Sequence, residues 1–333
     1  MKEISKIGIA LRGMAMGIAE VIPGVSGGTI AFISGIYKTL LDSISAVDFS
    51  LIGLVFKGDF KSAFAKINIG FLLPLMVGMG IGLVMAVFGV SYLLAYYPEP
   101  LWAFFFGLIL ASIPYMLKQM SQRNISLTFI FLVGTMAAYM LTSLSPVSAS
   151  GNMLYIYFAG AIAICALVLP GISGSFILLL LGLYSLIIPT FKSFLQSPES
   201  GEFLLLAVFG LGCITGLAFI SRLVSRAFEK YNNQTLALLS GFMLGSLNKI
   251  WPWRNIQSVL EKSSGNILPY EGDVASAFAQ DPDAFKIMTE QNVFPSTSTY
   301  LGDDHFIMVI ISVIAGCGVR YWLSSVQSRS IKV

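Results

Sequence analysis

Two apolar segments of this chain are interrupted by the same break, 147 residues apart. Pro23-Gly24-Val25-Ser26-Gly27 divides a run over about 7–40, and Pro170-Gly171-Ile172-Ser173-Gly174 divides one over about 153–190. Proline removes a backbone donor and glycine favours non-helical backbone, so neither run continues as one helix through its break. Apolar residues flank each break on both sides. In lipid, such a break is tolerated only where protein or a polar cavity surrounds it. Any fold for this chain has to shelter two of them.

The rest of the chain says what the solvent is. Of the 333 residues, 56% are apolar and 11% charged, against roughly a quarter charged in a soluble domain. Apolar runs at about 69–95, 101–117, 125–144, 203–221, 235–251 and 305–326 are each close to the ~20 residues a bilayer-spanning helix needs. That excludes a soluble enzyme, a nucleic-acid binder and a disordered scaffold. The ~10-residue alternation of a membrane barrel is not the pattern here. The expected fold is an all-α integral membrane protein. Cys165, Cys213 and Cys317 lie inside apolar runs and make no disulfide framework. His305 is the single histidine, too little for a zinc site, so no metal is expected. Arg12 interrupts the first run, which therefore reads as part of the mature fold and not as a signal peptide.

Loop charges decide whether the broken segments cross or turn back. If both are re-entrant and the N-terminus is cytoplasmic, that side receives 15 of the 20 basic residues, including Lys57, Lys61, Lys66, Lys118, Arg123, Arg222, Arg226 and Arg320. The outer side then receives the acidic stretch 252–304, read as a loop. If the broken segments crossed, the clusters at 57–66 and 118–123 would land outside. The positive-inside bias favours re-entry, with six crossing helices and both termini cytoplasmic.

The breaks belong to an internal repeat. Gly13–Tyr37 aligns with Gly160–Tyr184, ten of 25 positions being identical. FLLPLMVGMG at 71–80 resembles FLLLAVFGLG at 203–212, and Ala103, Gly107, Leu110 and Ser112 match Ala237, Gly241, Leu244 and Ser246. The chain divides into residues 1–147 and 148–333, each one re-entrant hairpin plus three crossing helices. Three is odd, so the second half enters from the opposite side. The expectation is two inverted-topology repeats with a site near the midplane, an arrangement common in alternating-access transporters.

A Gly-Ser loop leading into a helix presents backbone N–H groups and a positive dipole end, which suit a phosphate or carboxylate. The candidates are Gly24, Ser26, Gly27, Gly28 and Thr29 in the first half, and Gly171, Ser173, Gly174 and Ser175 in the second. Two tips entering from opposite leaflets can hold one anionic head group between them. The halves differ: Arg12, Glu20 and Thr29 stand where the second has Ala159, Leu167 and Phe176. A charged residue inside a membrane segment is a functional-site candidate, and Glu20 lies three residues before Pro23; the plainer reading is that it caps backbone or pairs with a basic residue. Arg12 reads as head-group attraction or orientation. Arg222 reads as a snorkelling anchor or a phosphate ligand. The run Lys249-Ile-Trp-Pro-Trp-Arg254 reads as an interfacial belt whose basic ends can recruit a phosphate from the outer leaflet.

The segment GMAMGIAEVIPGVSGGT at 13–29, Gly35-Ile36-Tyr37, and PGISGS at 170–175 together resemble the PopT-type undecaprenyl-phosphate translocase family over about residues 8–326. The resemblance implies a flippase that returns undecaprenyl phosphate from the outer to the inner leaflet of the bacterial cytoplasmic membrane, for reuse in peptidoglycan and envelope polysaccharide synthesis. It implies no catalytic residue and no cofactor beyond a proton or sodium gradient. The implied partners are the lipid and the membrane, with no nucleic acid, and homo-oligomers are compatible with it. One rival is a membrane phosphatase acting on undecaprenyl diphosphate. Those enzymes resemble this pattern but carry an arginine directly after the motif serine, where Gly27 and Gly174 stand here. The other rival is a small-anion transporter using the same tips.

Overall fold

The computed structural model describes residues 4–22, 24–147, 151–197, 200–281, 284–295, 300 and 305–329; Pro23 and the terminal Lys2 and Lys332 lie outside them. The first broken segment is α1 (Lys6–Val21), α2 (Gly27–Ile33) and α3 (Tyr37–Ser45). Ser5 caps α1 by accepting from Gly8 N–H. The helix stops where Ile22 turns extended and Gly24 takes φ 82°. Two short helices, α4 (Phe49–Phe56) and α5 (Phe60–Lys66), follow, each capped by an aspartate. Then come three long apolar helices, α6 (Ile69–Tyr96), α7 (Pro98–Lys118) and α8 (Ile125–Thr142).

The second half repeats the order. Its broken segment is α9 (Met153–Val168), α10 (Gly174–Leu180) and α11 (Tyr184–Gln196), with Gly171 at φ 88°. Next are α12 (Ser200–Lys230) and α13 (Asn232–Ser246), which a 3-10 turn extends from Leu247 to Ile250. After a small sheet that also carries α14 (Gly272–Gln280), the last helix is α15 (Phe306–Arg329). Among the described residues four helices are long and apolar enough to cross a membrane: α6, α7, α8 and α12. Large apolar side chains stand exposed along α6, α8, α12 and α15, such as Phe88, Ile125, Ile214 and Ile314. Water would not tolerate that surface; hydrocarbon does.

Four helix pairs carry most of the packing: α1 with α6, α9 with α12, α7 with α15, and α8 with α13. Glycines bring their backbones together. A Cβ on Gly78 would lie 2.0 Å from Ala10 O, and one on Gly82 2.1 Å from Met14 O. The corresponding contacts of the other half are Gly212 against Tyr157 O at 2.1 Å and Gly216 against Ala161 O at 2.5 Å. In both pairs the residue numbers rise together, so α1 runs parallel to α6 and α9 parallel to α12. Two consecutive long elements can be parallel only if the chain between them returns to its starting end. The arms α2–α3 and α10–α11 make that return.

These contacts also refine the repeat. Gly78 and Gly212 are equivalent in packing, whereas the sequence alignment matches Gly78 to Gly210, two residues away. Gly80 and Gly210 meet nothing within 4 Å. The eye is caught by shared glycines; the backbone contact picks out different ones.

The stretch 252–304, expected as a loop, instead folds around an antiparallel sheet of β1 (Arg254–Glu261), β2 (Ile267–Pro269) and β3 (Phe285–Asn292), in the order β2-β1-β3. The chain is thus mostly helical with a small β cap. Val259, Leu260 and Met288 are buried, Leu260 and Met288 against Leu179 of α10. The tryptophans expected as a membrane belt hold this cap down. Trp253 packs with Ala103 and Val309, and Trp251 donates to Val293 O at 2.9 Å. The basic α4–α5 linker lies at the start of α6, and the sheet lies beyond its far end.

Candidate functional site

The two breaks meet at the centre of the molecule. All seven residues of α2 are buried, and a Cβ on Gly28 would lie 2.5 Å from Val168 O and 2.8 Å from Leu167 O. Only a residue without a side chain lets the first tip reach the backbone of the second. Ser26 Oγ accepts from Gly28 N–H at 3.1 Å, capping α2, and donates to Leu167 O at 2.7 Å. Thr29 Oγ1 accepts from Gly171 N–H at 2.8 Å. Glu20 Oε1 accepts from Gly27 N–H at 2.8 Å. Buried polar groups are costly unless paired, and here each of these is paired across or within the seam.

The arrangement is lopsided. Glu20, Ser26 and Thr29 all come from the first half; the second supplies Leu167 O and Gly171 N–H. Ser173 makes no cap to α10, and its hydroxyl lies 2.9 Å from that of Ser175, which is exposed. Gly174 is packed against Ala163 O and Leu167. Gly24 sits under Lys249, whose Cγ would be 3.2 Å from an added Cβ.

The structure therefore brings Glu20, Ser26, Gly27, Gly28, Thr29 and Gly171 together, with Gly24, Ser173, Gly174 and Ser175 close by in the chain. In this state the N–H groups of Gly27, Gly28, Thr29 and Gly171 are already bound, Thr29 N–H to Ser26 O at 2.9 Å. Arg12 and Arg222 are elsewhere. Arg12 donates to Ser34 O and Gly8 O, tying the returning arm to α1. Arg222 donates to Val47 O at 2.8 Å, while Ser225 bonds Asp42, so both fasten α12 to the first hairpin. Arg320, expected at the cytoplasmic surface, is buried on α15 with its guanidinium over the Tyr115 ring.

Two cavities are lined in part by residues close to the breaks. An apolar one of about 370 Å³ opens between α1, α6, α7 and α15, lined by Ile18, Leu93, Phe104 and, where α1 ends, Ile22. A polar one of about 390 Å³ lies beneath the sheet, lined by Tyr139, Ser143, Phe176, Asn248, Lys249, Arg254 and Glu290 among others. Arg254 Nη1 is 2.6 Å from Glu290 Oε2, and Lys249 Nζ is 3.4 Å from the same oxygen. Glu290 is invisible to sequence reasoning, because the acidity of 252–304 reads as a topology signal and not as a set of partners.

A mostly helical chain with exposed apolar helix surfaces and sheltered polar breaks is an integral membrane protein. The chain belongs to the undecaprenyl phosphate translocase-like family, whose model matches residues 16–268. It is 41% identical over 268 residues to a polyprenyl-phosphate transporter of Vibrio cholerae, covering 80% of this chain and 85% of the relative. A polyprenyl-phosphate transporter of Staphylococcus aureus is 32% identical over 256 residues, 73% of this chain and 85% of the relative. No solved structure matches the chain significantly.

Proposed function

We propose that this protein carries a polyprenyl phosphate, undecaprenyl phosphate in bacteria, from the outer to the inner leaflet of the cytoplasmic membrane for reuse in envelope synthesis. The observation that carries the reading is the closed seam between the two tips. It is a buried cluster of donors and glycines joined by a few reversible hydrogen bonds. When it opens, the N–H groups of Gly27, Gly28 and Gly171 and the hydroxyls of Ser26 and Thr29 become available to a phosphate, with Gly24, Ser173, Gly174 and Ser175 at its rim. The prenyl tail enters through the apolar cleft that ends at Ile22 and otherwise stays in lipid.

Residues 1–147 and 148–333 act as two inverted repeats. Their pairing supports this: α7 and α13 are equivalent, and each packs on the helix of the other half that the repeat demands. Gly107 meets Val313 O and Gly316 meets Phe104 O; the counterparts, 134 and 182 residues away in order, are Gly241 on Phe131 O and Gly134 on Leu238 O. Such exchange of partners is what a two-fold relation between the halves requires, and an odd number of crossings per half sets its axis in the membrane plane. The fifth and sixth crossings are α13 and α15. With its 3-10 extension, α13 runs from 232 to 250, roughly 30 Å of helix. Arg12 and Arg222 hold the hinge regions, and both termini face the cytoplasm.

Transport is favoured over a phosphatase by the state of Ser26. Its proton is donated to a carbonyl, and the nearest acid, Glu20, is engaged with Gly27 N–H; a serine nucleophile needs a base on its hydroxyl. Glu20 is the coupling element, responding to a proton or sodium gradient. The test is leaflet-resolved accessibility of undecaprenyl phosphate in cells with and without the protein, scanned over pH and sodium. Equal outer-leaflet pools in both would end this reading, and phosphate release by the purified protein would establish the phosphatase.

A further inference from the structure

The polar cavity beneath the sheet holds an uneven set of charges. Lys249 and Arg254 share one carboxylate, and through the same oxygen of Glu290. Arg254 is nine-tenths buried, stacked on the Trp102 ring at 4.3 Å and donating to Lys249 O at 3.1 Å. The ring holds the guanidinium in place, and the donor fork of a guanidinium suits a phosphate oxyanion. Lys249 reaches both hairpins: its stem lies over Gly24, and its ammonium lies 5.2 Å from the centre of the Phe176 ring on α10.

A salt bridge built only for stability gains little from a second cation on one carboxylate, because desolvating the extra charge costs more than the shared partner returns. A surplus cation in a cleft is instead what an anionic ligand needs. The cleft is lined on its membrane side by Tyr139 and Phe176 and on its other side by the polar strand β3. An amphiphile with a phosphate head matches that division.

We propose that this cleft is the entry site for a phosphate monoester on the sheet side of the molecule. Lys249 and Arg254 bind the phosphate, and Glu290 is the resident counterion that the phosphate displaces. Lys249 then hands the head group toward Gly24 and the seam. The inference rests on the transport reading for the identity of the ligand, though the anion chemistry of the cleft stands on its own residues. Glu290 thereby sets a threshold: a neutral or singly charged head group has less to offer the two cations than the carboxylate already gives them.

The test uses the full-length protein in lipid nanodiscs, with farnesyl phosphate, farnesol and inorganic phosphate as probes. Wild type is expected to bind farnesyl phosphate more tightly than farnesol. Lys249→Gln and Arg254→Gln are each expected to weaken farnesyl phosphate roughly tenfold, the loss of one charge-assisted contact, while leaving farnesol unchanged. Glu290→Gln removes the competitor and is expected to tighten binding. That gain also keeps the proposal testable if Arg254→Gln does not fold. Wild-type affinity in Lys249→Gln, or weakening in Glu290→Gln, overturns the entry site and leaves the transport reading intact. Inorganic phosphate bound as tightly as farnesyl phosphate, with the same dependence on Lys249, keeps the anion site and overturns the lipid reading.

Discussion

Thr29 Oγ1 accepts a hydrogen bond from the N–H of Gly171, a residue 142 positions further along the chain, at 2.8 Å. One hydroxyl of the first hairpin thus holds the backbone of the second at the point where that backbone turns. Thr29→Val keeps the shape and removes the acceptor. A buried N–H left unpaired costs about 1–3 kcal/mol, so the thermal midpoint of the purified protein should fall, and Thr29→Ser should restore it. A Val variant that melts with wild type would show the strut to be idle.

The contact between the tips depends on Gly28 having no side chain. Gly28→Ala places a carbon 2.5 Å from Val168 O, so the hairpins must part. Transport, read as the outer-leaflet pool of undecaprenyl phosphate, is expected to fail. Gly53→Ala, with nothing within 4 Å, is the matched control and should transport normally.

Glu20 separates structure from charge. Gln in its place still accepts from Gly27 N–H, so Glu20→Gln should fold and melt as wild type does. Carrier recycling is nevertheless expected to be lost, because the side chain no longer exchanges a proton or pairs with a cation. Ser26→Ala should also lose recycling while the protein remains folded. Normal transport by both variants would sink this assignment.

Helix pairing offers a test within one helix. Gly82→Ala drives a Cβ to 2.1 Å from Met14 O, whereas Gly80→Ala meets nothing. Overpacking of this kind costs about 1–3 kcal/mol, so only the first variant should unfold early in a thermal melt.

Sidedness can be read with single cysteines in a background lacking Cys165, Cys213 and Cys317. Phe56 on the basic linker is 88% exposed, and Ser264 lies in the exposed turn between β1 and β2. A membrane-impermeant maleimide applied to intact cells should label Ser264→Cys and spare Phe56→Cys. Labelling of both from outside would place the linker on the wrong side for re-entry.

Much of this architecture was legible in the residues. The doubled break and its 147-residue spacing mark where α1 and α9 end and the arms α2–α3 and α10–α11 begin. What escaped were features decided by partners remote in the chain. Ser26 and Thr29 read as anion ligands, and nothing in their sequence neighbourhood shows that in the closed seam they also bond Leu167 O and Gly171 N–H. Arg12 reads equally as an orienting charge and Arg222 as an anchor, and no local sequence signal points to the carbonyls of Gly8, Ser34 and Val47 to which they donate. The sheet is not legible in the sequence because β1 and β3 pair across 23 intervening residues and β1 lacks a period-two burial pattern, Val259 and Leu260 both being buried. Local composition suffices to mark helices apolar enough to cross a membrane; the seam needed the whole fold.

The lopsided seam has a consequence for descent. Side chains from the first half grip main-chain atoms of the second, and every amino acid at 167 offers the same carbonyl. At the seam the second half contributes peptide groups, so these positions need no polar side chain, and Leu167 and Phe176 stand where the first half has Glu20 and Thr29. Natural variation should therefore accumulate unequally at positions 20 and 29 and at their counterparts 167 and 176, with the first pair changing more slowly.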